Sequence, residues 1–335
     1  MTLALDPELA EVLAAIPGGV DPGTHLLDMN VIRMLRSTPD MLAAAGLTLP
    51  SDDRVLVANE TIPGPDDNPD LGVRIYRPAA RSGPAPPALV FFHGGAFVLG
   101  DTYAEEYRCL RYVTEAGCVV VSVEYRLAPE HPYPAAVDDG RAALAWTRAH
   151  AAELAVDPAR IALGGNSAGG ALAAAIALAT RDAGEELPVF QLLVYPVTDD
   201  RMDTPSMRAF DATPLWTNTA TAHMWHHYIG RADNDVDDAA ARGDVEVPAY
   251  AAPARARDLA GLPPTYLMTA ELDPLRDEGI DYGQRLLQAD VPTELHNFTG
   301  ACHGFDSVAP RTSIGRRALD EQVDALRRAL HPERP

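Results

Sequence analysis

The chain alternates short, continuously apolar runs with longer stretches in which apolar residues recur at helical spacing. The strand-like runs are Ala88-Leu89-Val90-Phe91-Phe92, Val119-Val120-Val121-Ser122-Val123, Ile161-Ala162-Leu163, Leu192-Leu193-Val194, Tyr266-Leu267-Met268 and Glu294-Leu295-His296. Helical patterns separate most of them, near residues 104–116, 136–152, 168–182, 276–289 and 313–330. Apolar strands with intervening helices predict an α/β fold, a mostly parallel sheet covered by helices on both faces. Upstream, residues 54–60 and 73–77 are β-like runs joined by a Pro/Gly/Asp-rich turn, which predicts a hairpin at the sheet edge. With the hairpin the sheet has about eight strands. A proline-rich linker, residues 78–87, leads into the alternating part.

Two regions stand outside this rhythm. Residues 1 to about 48 read as helical, with Leu9, Val12 and Leu13, and again Val31, Met34 and Leu35, at helical spacing. They carry no chemical motif, and their apolar faces need a surface to pack on, such as a neighbouring site over which they would form a lid. Residues 200–250, rich in Asp, Thr, Trp and His, read as an insertion between two strands. The predicted organisation is a helical cap over residues 1–50 and a catalytic domain over 51–335 with a second cap segment near 200–250.

Composition narrows the function. The 335 residues carry a formal net charge of -21, which sets the surface against nucleic acid and anionic membranes. All 27 basic residues counted with lysine are arginine; GC-rich coding accounts for this more simply than adaptation to salt. Three cysteines, Cys109, Cys118 and Cys302, have neither disulfide-framework nor zinc-site spacing, which suits a reducing cytoplasm. The first residues lack a basic segment followed by an apolar run, so no signal peptide is expected, and no apolar stretch reaches the ~18 residues of a spanning helix.

The chemistry centres on Gly165-Asn166-Ser167-Ala168-Gly169, a G-x-S-x-G sequence between the strand at 161–163 and an alanine-rich helix. Strand, sharp turn and helix are the setting of a nucleophile elbow, in which glycines permit the turn and the helix dipole favours a developing anion. The plain alternative is a glycine turn with an N-capping serine. A serine needs a base to become a nucleophile. His303 follows the strand-like run ending at Phe298, and Asp273 follows the run from Tyr266 to Ala270. Asp273 could equally cap the next helix, with Pro274 at its first position; Asp277 competes for the acid role but falls within that helix. The order Ser167, Asp273, His303 is that of α/β-hydrolases. After the strand at 88–92 comes His93-Gly94-Gly95-Ala96, where the amides of Gly95 and Ala96, with that of Ala168, would form an oxyanion hole.

Together these motifs resemble the hormone-sensitive-lipase-like branch of the α/β-hydrolases, the family IV esterases of bacteria, from about residue 72 to 330. The residues that carry it are His93-Gly94-Gly95-Ala96-Phe97, Tyr125-Arg126-Leu127-Ala128-Pro129-Glu130, Gly165-Asn166-Ser167-Ala168-Gly169-Gly170, Asp273-Pro274-Leu275-Arg276-Asp277-Glu278 and His303-Gly304-Phe305. The resemblance implies a cofactor-free carboxylesterase for a small-molecule ester, an N-terminal helical cap and a second cap segment in the 200–230 region. It also admits a homodimer through the last strand. Glu130 resembles the glutamate that braces the active-site loops of that family. Two departures stand out. Ala96 replaces the family's third glycine, which is tolerated if φ there is negative. Asn166 replaces an aspartate, removing a negative charge beside the developing oxyanion, so Asn166→Asp is expected to alter the pH profile.

Other candidates read less as chemistry. His223, His226 and His227 have i, i+3 and i, i+4 spacing, but no acidic residue or cysteine has an obvious place beside them, so no metal is expected. Phe97, Trp216, Met224 and Trp225 read as substrate-pocket or cap lining, and Cys302 as packing. Short acyl esters suit the small cap. A non-catalytic binder, like the plant gibberellin receptors that share this fold, would lack the histidine that is present here at 303; an amide, lactone or carbonate substrate remains an alternative.

Overall fold

A computed structural model describes residues 4–16, 32, 36, 40, 42, 46, 48–66, 68–80, 83–230 and 246–332. Eight strands form one sheet: β1 (Val55–Ile62), β2 (Leu71–Pro78), β3 (Ala88–Phe92), β4 (Val119–Glu124), β5 (Ile161–Asn166), β6 (Gln191–Val194), β7 (Thr265–Leu272) and β8 (Thr293–Cys302). Their spatial order is β1-β2-β4-β3-β5-β6-β7-β8. The hairpin strand β2 runs antiparallel to both β1 and β4, and from β4 to β8 every neighbouring pair is parallel.

The described helices are α1 (Pro7–Ala14), α2 (Glu106–Arg111, continued by a wider turn over Tyr112–Ala116), α3 (Ala135–Ala149), α4 (Ala151–Leu154), α5 (Ala168–Asp182), α6 (Pro205–Ala209), α7 (Asn218–Ile229), α8 (Arg276–Gln288), α9 (Phe305–Val308) and α10 (Ser313–Leu330). Side chains alternate across a strand, so β3 feeds two cores. Val90 and Phe92 pack with Leu172 and Ile176 of α5 and Leu144 of α3. Leu89 and Phe91 pack on the other face with Tyr112, Val323 and Leu326. This is why the central strands read as unbroken apolar runs.

Helix α5 is apolar on every side and lies almost wholly inside the protein. Its small residues are a packing requirement. A Cβ on Gly169 would sit 2.0 Å from the carbonyl oxygen of Phe92, so the helix can approach β3 only with glycine there. Helix α10 is amphipathic: Ile314, Ala318, Leu319, Val323, Leu326 and Leu330 are buried and its arginines face outward.

Among the described residues, the N-terminal arm docks at two places. Helix α1 is capped by Asp6, buries Leu9 and Leu13, and is tied to the far end of the sheet by Asp6 N–H to Gly300 O at 2.9 Å. Ile32 is buried in the core on the α5 face. Val31, Met34 and Leu35, expected to lie on a cap helix, fall outside the described residues, as does 231–245 of the expected second cap segment. The described part of that segment holds α6 and α7. No described helix is long and apolar enough to cross a membrane.

Candidate active site

The sheet topology creates the site. The chain passes from β3 to β4 on one side, then returns to β5 on the other, and ligands gather at such a switch, beyond the carboxyl ends of the strands. The loops after β3, β5, β7 and β8 all leave that edge. They carry His93 to Phe97, Ser167, Asp273 and His303 respectively.

Ser167 sits between β5 and α5 with φ 55° and ψ −119°, a strained conformation for a residue with a Cβ. Backbone bonds hold it: its N–H donates to Val194 O at 2.8 Å, and its carbonyl accepts from Ala171 at 3.1 Å and Val197 at 3.2 Å. The hydroxyl lies 2.8 Å from His303 Nε2, and His303 Nδ1 lies 2.7 Å from Asp273 Oδ2. Asp273 is wholly buried, and its other oxygen accepts from the Leu275 amide at 2.9 Å. With Nδ1 donating to the carboxylate, the neutral imidazole presents a bare Nε2 to the serine O–H. The competing acid, Asp277, points elsewhere: it accepts from the Ser206 amide at 2.7 Å and pairs with Arg276. Burial pushes its pKa up, but Arg276 and Ser206 more than offset this and hold it below the ordinary value.

The loop after β3 turns tightly. Gly95 has φ 117°, and a Cβ there would lie 2.2 Å from Leu99 O. The condition of a negative φ at Ala96 is not met: Ala96 has φ 58° and Phe97 has φ 60°. Left-handed backbone costs an ordinary residue about 1–2 kcal/mol, and the loop tolerates it because the bonds of Val98 and Leu99 to Gly95 O, 3.0 and 2.7 Å, fix the turn. Among the described residues no protein group accepts from the amides of Gly95 or Ala96. Ala168 opens α5, so its amide precedes the first intrahelical acceptor. His93 is wholly buried, stacks on Tyr125 at 4.3 Å and bonds through Nδ1 to Gly94 O. Gly94 lies against the Asn166 amide.

Around the histidine, Tyr195 meets the ring edge-on at 4.8 Å and Trp216 lies tilted at 5.7 Å. Phe97 stacks on Tyr228 at 3.7 Å, with Trp225 at 6.4 Å from it. Of the four residues expected to line the pocket, Trp216 packs beside the His303 ring, while Phe97, Met224 and Trp225 are wholly buried in the core. His223 and His226 are buried on α7, and among the described residues no group of His, Cys, Asp and Glu is placed to hold a metal. The Cys302 thiol is pushed up to about 12 by burial and the nearby Asp273 charge, which leaves it without a nucleophilic thiolate.

One expectation needs revision. Asn166 does not leave the elbow without a carboxylate: its Nδ2 donates to Glu105 at 2.7 Å. Glu130 is linked to the active-site loop through Arg36. Its carboxylate accepts from Arg36, at 2.8 and 3.1 Å, and Arg36 in turn donates to Val98 O at 2.9 Å and Ala128 O at 2.7 Å. Arg36, Glu105, Arg108, Tyr195 and Asp306 all touch the site or its supports and went unmarked. They belong to no short motif, and an isolated charge on a helical pattern reads as a solvated face.

Comparison with known proteins identifies the family. A family profile described as alpha/beta hydrolase fold matches residues 89–307. "Esterase LipI" of Mycobacterium tuberculosis is 38% identical over 331 residues, 98% of this chain and 96% of that one. "Carboxylesterase NlhH" of the same species is 37% identical over 300 residues, 90% and 88% of the two chains. Among solved structures, "Bacterial Heroin Esterase" superposes with a TM-score of 0.87 at 44% identity, covering 98% of each chain. With the profile spanning the sheet from β3 to the loop after β8, and relatives matched along nearly the whole length, the chain belongs to the hormone-sensitive-lipase-like branch of the α/β-hydrolase family.

Proposed function

We propose that the protein is a carboxylesterase that cleaves short- to medium-chain carboxylic esters through an acyl-enzyme on Ser167. The reading rests above all on one observation, the chain of contacts from Ser167 Oγ to His303 Nε2 at 2.8 Å and from His303 Nδ1 to Asp273 at 2.7 Å. His303 takes the serine proton as Oγ attacks the ester carbonyl, then returns it to the leaving alkoxide. Water, activated by the same imidazole, attacks the acyl-enzyme and releases the acid. Buried Asp273 holds the imidazole in the Nδ1–H tautomer and stabilises the imidazolium. The amides of Gly95, Ala96 and Ala168 receive the oxyanion, each worth about 10²–10³ in rate.

The esterase names of the relatives support the substrate class. The Tyr195 and Trp216 rings packed beside His303 suit a compact acyl or alcohol group. Three free buried cysteines fit a cytoplasmic location. Hydrolysis of p-nitrophenyl esters of increasing chain length by the wild type and Ser167→Ala tests the reading. The expected result is wild-type turnover that peaks among the shorter chains and disappears in Ser167→Ala. No wild-type activity at any length would overturn it.

A further inference from the structure

The nucleophile and the base sit on loops after different strands, and their direct contact is one hydrogen bond. Behind that contact runs a second, wholly buried connection. Asn166, next to Ser167, donates to Glu105 Oε1 at 2.7 Å. Glu105 Oε2 accepts from Arg108 Nε at 2.8 Å. Arg108 Nη1 donates to Asp306 at 3.0 Å, three residues beyond His303, and Nη2 donates to Ser307 Oγ at 2.9 Å. Gln322 of α10 and Tyr195 close the network on Asp306, at 2.8 and 2.6 Å. Tyr195 is also the ring packed edge-on against His303. Asn166, Glu105, Arg108 and Asp306 are all 7% exposed or less, so the bonds among these four are shielded from water.

We propose that the Asn166–Glu105 hydrogen bond, anchored through Arg108 to Asp306, is a positioning device that sets the distance between Ser167 Oγ and His303 Nε2, with Asn166 and Glu105 working as a matched donor–acceptor pair. The proposal rests on the ester-hydrolase reading of the site. The direction of the amide is fixed by its partner. Turned the other way, Asn166 would aim its carbonyl oxygen at the Glu105 carboxylate. In the observed orientation Oδ1 has no partner among the described residues, so the donor is what the amide contributes. An aspartate at 166 would set two carboxylates 2.7 Å apart in a buried place. They cannot both ionise at that range, so the elbow moves or a proton is trapped. The asparagine is therefore read together with Glu105: the carboxylate is on one loop and the amide on the other. A glutamine at 105 facing an aspartate at 166 restores one donor and one acceptor with the direction reversed, and its carbonyl can still accept from Arg108.

A displacement of about 1 Å between reacting groups costs on the order of 10²-fold in rate, so Asn166→Asp is expected to lower kcat about 10- to 100-fold with KM within about twofold of wild type. Glu105→Gln is expected to lower kcat less. The test compares wild type, both single variants, the double variant and Ser167→Ala on p-nitrophenyl butyrate, with rates per site counted by exhaustive titration with a p-nitrophenyl phosphonate. Counting sites separates misfolding from mispositioning. Recovery of kcat in the double variant to within about threefold of wild type is the expected result. The proposal is overturned if kcat per titrated site is unchanged in Asn166→Asp, or if the double variant is no faster than Asn166→Asp. Undiminished hydrolysis by Ser167→Ala would instead overturn the reading beneath it.

Discussion

Replacing Arg108 with methionine removes the only cation among the described residues of the buried network while keeping an unbranched side chain of similar reach. In the native protein the guanidinium, 2% exposed, serves Glu105, Asp306, Ser307 and Gln322. Burial pushes the Asp306 carboxyl up, but Arg108, with Tyr195 and Gln322, more than offsets this and holds it below the ordinary 3.8. Without Arg108 two carboxylates remain buried with no cation, and breaking such a pair costs about 3–5 kcal/mol. For a chain of this size that is a fall of about 4–7 °C in Tm. The loss depends on pH. In the variant, burial dominates and the folded pKa of Asp306 rises above its unfolded value. A group raised in this way contributes stability that is complete below the unfolded pKa and disappears as pH climbs through the folded one. The deficit of Arg108→Met should therefore be smaller near pH ~5 than near pH ~8. Thermal and urea unfolding at both pH values measure it. A deficit below about 1 kcal/mol, or one equal at the two pH values, would refute the reasoning.

Other expectations follow from single contacts. Asp273→Asn should lower kcat by about 10⁴-fold because the imidazole loses its tautomer and its counter-charge; Asp277→Asn should stay within about tenfold, and equal losses in steady-state assays would contradict the assignment of the acid. Glu278 is wholly buried, accepts from the Thr198 and Asp199 amides at 2.7 and 3.2 Å, and has its second oxygen without a partner. Burial pushes its pKa well above 4.5, with the Asp199 and Asp273 charges adding to it against the two amide bonds, so it stabilises the fold below that value and loses this as pH rises. Glu278→Gln, which keeps the acceptor, should match wild type at about pH 5 and exceed its Tm at about pH 8; an unchanged difference across that range, followed by calorimetry, counts against it. Gly169→Ala forces a Cβ to 2.0 Å from a backbone oxygen and should abolish soluble, active protein; a well-folded variant, judged by circular dichroism, would mean that α5 can shift from β3.

The sheet was legible because its strands are buried on both faces. A run such as residues 119–123 has no reason to be continuously apolar otherwise, and the alternation with helical spacing dictates the parallel crossovers. The glycines around Ser167 were legible because close approach leaves no substitute. The supports of the site were hidden for a physical reason. Asp306 lies 198 residues from Arg108, and Glu105, Arg108 and Asp306 each look alone like a charge facing water. Only folding sets Arg108 within 3.0 Å of both carboxylates and removes the solvent. The conformation of Ala96 was not legible because alanine usually avoids positive φ, and here neighbouring bonds impose it. Arg36 escaped notice because two of its acceptors, Val98 O and Ala128 O, are backbone groups with no sequence signature.

The central claim is that Ser167, activated by His303, forms a covalent bond to the substrate's acyl group. Incubation with a p-nitrophenyl phosphonate, followed by proteolysis and mass spectrometry, tests it most directly. The account predicts one equivalent of p-nitrophenol released per chain, with the phosphonyl mass on the peptide containing Ser167, and labelling slowed severely in His303→Ala. Labelling of another residue with Ser167 unmodified, or labelling at full rate in His303→Ala, would contradict it.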